Sequence, residues 1–130
     1  MKKVLISPEI SLKEAINRLN ELGTKTLVVS NEENKLLGTH SDGDIRRAII
    51  NGNNLDENIE NIYNQNPKYV QEGKYSIKKL AEDFIRNKYD LMPMLSSKME
   101  IKKILFLEDL LSDNESAKLR PQDTTVIIMA

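Results

Sequence analysis

The chain has 130 residues, 39% hydrophobic and 30% charged, with a net charge of −1, which fits one compact domain or two small halves sharing a core and gives no electrostatic footprint for nucleic acid. It has no cysteine and a single histidine, which excludes disulfide and thiolate chemistry and leaves little for a zinc site. No apolar run approaches the roughly 20 residues of a membrane span, and the N-terminal MKKVLISPE turns polar too early for a signal peptide, so a cytoplasmic protein is expected.

Val4-Leu5-Ile6 reads as a short strand closed by Pro8. The segment Ser11 to Leu22 is the clearest helix, because Leu12, Ala15, Ile16, Leu19 and Leu22 share one face. Ser11 with Glu14 has the pattern of a capping box, and Gly23 is placed to end the helix. Thr26 to Val29 follows as a β-branched strand, Asn31 to Asn34 as a turn, and Leu36 to Ser41 as the next strand. A second helix is expected from about Asp44 to Asn51, with Gly52 as its stop.

The twelve residues Leu36 to Arg47, LLGTHSDGDIRR, carry the most chemistry. A strand end followed at once by a helix start presents free backbone amides that favour an anion. Gly38 would let a ligand approach the backbone, and Ser41 would meet a phosphate. Asp44, acceptor-only when ionised, suits sugar hydroxyls, and Arg46 or Arg47 would supply a counter-charge. Asp42 and Asp44 side by side oppose a polyphosphate unless a cation accompanies it, which favours a monophosphate or sugar nucleotide. His40 reads as a strand-surface residue, and Met92, Met94 and Met99 read as core or interface packing. No nucleophile–base pair, metal-ligand spacing or P-loop is present, so neither a catalytic nor a metal site is expected.

A shift of 65 residues brings a second copy of the same order into register. Ser11 falls on Ser76, Leu12 on Ile77, Leu19 on Phe84, Leu27 on Met92, Leu36 on Ile101 and Asp44 on Asp109. Identities are few, but apolar positions match through both helix-period and strand-period segments, which argues for internal duplication.

A repeated β-α-β-β-α unit whose first copy ends in Gly38, Ser41 and Asp44 resembles the cystathionine-β-synthase (CBS) domain, which occurs in tandem pairs. The resemblance implies an α/β fold of two pseudo-symmetric units packed as a pair, with unit 1 at 1–55, unit 2 at 56–112 and a linker with a following strand at 113–130. It also implies a non-catalytic, regulatory module that binds an adenine or other nucleotide, with AMP, ATP or a sugar nucleotide as expected ligands and no resident cofactor. Carried onto this chain, Asp44 would hold ribose hydroxyls and Ser41 the phosphate. The Thr39 backbone, with Thr24 and Lys25, would line the base pocket. The second unit departs from the pattern: Lys103 and Phe106 stand where the glycine and hydroxyl belong, while Asp109 is kept. One working site per chain is therefore expected.

The form Ser-Asp-Gly-Asp-Ile-Arg-Arg at 41–47 is similar to that of CBS pairs attached to sugar-handling enzymes. Thr124 to Ala130 is similar to the first strand of sugar-1-phosphate nucleotidyltransferases, without the glycine-rich loop that follows it there. Together they suggest control of a C-terminal nucleotidyltransferase domain. The resemblance further implies a homodimer through CBS helices, for which Ile45, Ala48 and Ile49, Leu110 and Leu111, and the stripe Ile77, Leu80, Ala81, Phe84 and Ile85 are candidate material. A structural dimerisation module with an empty cleft is the alternative. Neither nucleic acid nor membrane is an expected partner.

Overall fold

A computed structural model describes residues 4–111 of the protein; the linker and strand expected at 113–130 lie outside the described residues. The first half contains β1 (Leu5–Ile6), α1 (Leu12–Leu22), β2 (Thr26–Ser30), β3 (Leu36–Ser41) and α2 (Asp42–Ile50). The second contains β4 (Val70–Gln71), α3 (Ile77–Asn87), β5 (Met92–Leu95) and β6 (Ile101–Leu105), and residues 107–111 are again helical. Each half forms its own three-stranded sheet, ordered β1-β2-β3 and β4-β5-β6. In each the first pair is parallel and the second antiparallel.

The duplication is legible in the strand register. Leu27 pairs with His40, Val29 with Gly38 and Ser30 with Leu36. Met92 pairs with Leu105, Met94 with Lys103 and Leu95 with Ile101, the same partners 65 residues on. Even the β-bulge recurs, between Val29 and Ser30 and between Met94 and Leu95. Backbone outliers repeat as well: Asn34 and Met99 both have positive φ, at 63° and 68°.

Capping chemistry sets the helix ends. Ser11 accepts the Glu14 N–H while Glu14 reaches back to the Ser11 N–H, closing the expected capping box, and Gly23 ends α1 in the left-handed region at φ 71°. Ser76 caps α3 from the equivalent position, accepting the Lys79 N–H. The helix α2 starts earlier than the sequence pattern predicts, at Asp42. Ser41 takes the N-cap, so Asp42, Gly43 and Asp44 form the first turn instead of a loop before it. The reason is a second capping box, Ser41 with Asp44, in which aspartate does the work usually given to glutamate.

Three apolar clusters hold the fold. One sits under α1 and α2 around Leu12, Ala15, Leu27, Val29, Ile45 and Ile59. One sits under α3 around Leu80, Phe84, Met92 and Leu105. The third joins the halves, with Val4 and Val28 meeting Leu91, Leu95, Ile101 and Ile104. A sheet covered on both faces needs no polar alternation, which is why β2 and β5 read as short continuous apolar runs. Ile59 is fully buried in the first cluster and its N–H donates to the Ile10 carbonyl, so that core draws on residues beyond position 55. Met92 and Met94 are core, but Met99 is partly exposed at the turn between β5 and β6.

The proposed dimer stripe is mostly spent within the chain. Ile45, Ala48, Leu80, Phe84 and Leu110 are buried in their own halves, because each sheet covers its helices more fully than the sequence suggests. Exposure remains at Ile49 (47%), Ile50 (75%) and Ile85 (62%). Among the described residues no helix is long and apolar enough to cross a membrane, and no acid, histidine or cysteine cluster could hold a metal ion.

Candidate functional site

The end of β3 and the first turn of α2 open onto a cleft of about 510 Å3 that takes its other wall from the second half. Lys25, Thr39, Ser41, Asp44, Arg46 and Arg47 all line it, together with Asp42 and Gly43. The Asp42 N–H donates to the Lys25 carbonyl at 2.9 Å and the Asp44 N–H donates to Ser41 Oγ at 3.1 Å. The Gly43 N–H finds no acceptor among the described residues. It is therefore an available donor, at the end of the helix where the backbone dipole favours negative charge.

The two acids of this turn are already engaged. Asp44 accepts the Ser41 N–H at 2.9 Å on one oxygen and the Arg47 guanidinium at 2.6 Å on the other. Asp42 accepts Arg46 at 2.9 Å. Each carboxylate oxygen has two lone pairs, so Asp44 keeps acceptor capacity for a pair of hydroxyls. Arg46 and Arg47 serve first as partners for their own acids, not as free counter-charges.

Three expectations need correction. Gly38 does not meet a ligand, because a side chain there would collide with the Asn64 carbonyl oxygen and lie 2.6 Å from the Tyr63 ring. The glycine makes room for the protein's own chain. The Thr39 backbone is likewise spent, its N–H donating to the Asn64 carbonyl at 3.0 Å and its carbonyl accepting the Asn64 N–H at 2.8 Å. Thr24 lies outside the cleft, its hydroxyl donating to the Thr26 carbonyl at 3.3 Å, and lines a neighbouring depression with Gly23.

His40 is no surface residue. It is fully buried, and neither ring nitrogen has a hydrogen-bond partner. The cause is its register: it pairs with Leu27, and its counterpart Leu105 occupies the core of the other half. Burial lowers its pKa from the ordinary 6.5, with the nearby Asp44 carboxylate pulling the other way.

Sequence reasoning missed the second wall: Asn64, Lys68 and the run Lys88 to Pro93. Tyr89 packs edge-on against Phe84, with ring centroids 5.8 Å apart, and with Leu91 and Pro93 it gives the cleft an apolar side suited to a flat ring. The signal was available. Lys88 to Asp90 sits 65 residues after Gly23 to Lys25, and a cleft between pseudo-symmetric halves must draw on both. Asp109 keeps its structural role, accepting the Phe106 N–H at 3.0 Å as Asp44 does that of Ser41. Phe106 offers no hydroxyl there, and its side chain packs against the joint core.

Residues 1–51 match the family model described as the CBS domain. A protein of Helicobacter pylori strain J99, described only as uncharacterized, is 28% identical over 107 residues, which is 82% of this chain and 32% of that protein. The chain thus spans about a third of the length of the curated relatives it matches. Among solved structures, a CBS domain pair/ACT domain protein of Thermotoga maritima superposes with a TM-score of 0.70 at 18% identity, covering 87% of this chain and 88% of that one. CBSX2, a CBS-pair protein of Arabidopsis thaliana, has a TM-score of 0.71 at 16% identity, covering 87% and 86%. A further CBSX2 structure, in complex with AMP, gives 0.70 at 16% identity, covering 87% of each chain. The fold described above is theirs.

Proposed function

From a chain with a CBS domain at residues 1–51 and the fold of a CBS pair, we propose a non-catalytic regulatory module that binds a nucleotide in the cleft between its halves. The observation that carries this reading is the convergence on one cleft of Ser41, Asp44, the free Gly43 amide and the Tyr89–Pro93 wall. Those groups supply in turn a hydroxyl and an amide for phosphate, a carboxylate for ribose, and an apolar face for a base. The AMP complex of CBSX2 supports a nucleotide as the ligand class.

The module controls a tethered partner. The Ser41–Arg47 form and the nucleotidyltransferase-like sequence at 124–130 support a sugar-1-phosphate nucleotidyltransferase in that place, and the greater length of the curated relatives leaves room for one. Pairs of chains associate through the exposed apolar residues of α2 and α3, a two-fold contact being the commonest form of assembly. An empty, purely structural cleft is the competing role.

Calorimetric titration with adenine, guanine and cytidine nucleotides tests the site. Asp44→Ala should weaken binding by about 1.5–3 kcal/mol through lost charge-assisted bonds, while Asp109→Ala leaves it nearly unchanged. Asp44→Asn, which keeps an oxygen for the Ser41 N–H, separates ligand contacts from loss of the cap. Equal losses at Asp44 and Asp109 would place the ligand elsewhere. Absence of any nucleotide binding would favour the structural role.

A further inference from the structure

The charges of the cleft say more about its occupant than that it is a nucleotide. None of its three carboxylates stands free. Asp42 is paired with Arg46, Asp44 with Arg47, and Asp90 accepts the Lys25 backbone N–H at 2.7 Å. The adjacent acids that argued against a polyphosphate in the sequence are thus neutralised by the two arginines that follow them.

Three further cations line the same cleft: Lys25 just before β2, Lys68 just before β4, and Lys88 at the end of α3. None forms an ion pair with a described residue. The lining therefore holds two more cations than carboxylates, and the surplus sits on three separate segments.

Lys88 adds an independent sign. It is the C-cap of α3 with φ 57° and ψ 43°, in the left-handed region, where its counterpart at the end of α1 is Gly23 with φ 71°. Lysine resists that conformation and glycine accepts it freely. The second half thus keeps the left-handed cap while giving up glycine's freedom, and the side chain it gains carries a charge to the edge of the cleft.

We infer that the cleft selects a ligand with a chain of phosphates, a nucleoside diphosphate or triphosphate, over a monophosphate, with Lys25, Lys68 and Lys88 answering the phosphates beyond the first. The inference rests on the nucleotide reading proposed above. It replaces the monophosphate or sugar nucleotide that the bare sequence favours.

Titration of the full chain with AMP, ADP and ATP at fixed ionic strength tests it. ATP should bind several-fold tighter than AMP, with the advantage shrinking as salt is raised. Lys88→Gly, which restores the residue of the first half, should lower ATP affinity about two- to fivefold and leave AMP affinity alone. Its melting temperature should be unchanged or higher, since the left-handed strain is relieved. Lys68→Gln should lower ATP affinity in the same selective way. AMP binding as tightly as ATP, or the two variants losing both ligands equally, would overturn the inference while leaving the nucleotide reading intact. Failure of all three to bind, with the guanine and cytidine nucleotides failing as well, would remove both.

Discussion

Replacing His40 by leucine should stabilise the protein. The neutral imidazole carries one donor and one acceptor, and both lie buried without a partner. An unsatisfied buried polar group costs about 1–3 kcal/mol, a cost that leucine does not incur. The fold itself supplies the control: Leu105 occupies the same strand position in the second half, paired with Met92 as His40 is with Leu27. A net gain of about 1–2 kcal/mol is therefore expected near pH 7.5. The pH dependence gives a second readout. Burial lowers the pKa of His40 in the folded state, so the folded protein binds this proton less readily than the unfolded chain does. The stability tied to the neutral ring is complete above the unfolded value of about 6.5 and is lost as pH falls below it. Each bound proton tilts the balance by at most about 1.4 kcal/mol per pH unit, so the gap between variant and parent should widen towards pH 5.5. Urea denaturation at pH 7.5, 6.5 and 5.5 measures both effects. A less stable variant at pH 7.5, or a gap that stays constant with pH, would refute the reasoning.

Gly38→Ala should destabilise the fold by at least about 1–3 kcal/mol, because the added carbon has to displace the Asn64 backbone; a two-state denaturation curve like that of the parent would contradict this. The double variant Ile50→Lys and Ile85→Lys, made at exposed positions, should abolish self-association without lowering the melting temperature, as read by light scattering alongside thermal unfolding.

Much of the architecture was legible because it is written locally. Ser11 with Glu14 and Gly23 bracket α1 by rules that depend on a few neighbouring residues, and the 65-residue shift carried the strand register with it. The site was legible on one side only. Ser41 and Asp44 announced themselves by type and spacing, whereas Lys88 to Pro93 look like an ordinary helix end and strand until the halves are brought together. Gly38 and Thr39 were misjudged for a related reason. Their environment is decided by Tyr63 and Asn64, about 25 positions away, whose return to β3 no local pattern signals. His40 was misjudged through assigning the wrong face. In a sheet packed on both sides, polarity no longer marks the solvent face, and His40 is buried although its strand neighbours Thr39 and Ser41 are only half-buried.

The bond from the Lys25 amide to the Asp90 carboxylate joins positions that correspond to each other under the 65-residue repeat. In a symmetric dimer of single units, that position would face its own copy. Aspartate on both sides would set two anions against each other, and lysine on both would leave two amides without an acceptor. Covalent fusion releases this constraint, because the two copies can evolve separately. The first then keeps a cation for the cleft while the second provides the acceptor, a division of labour closed to identical chains meeting on an axis.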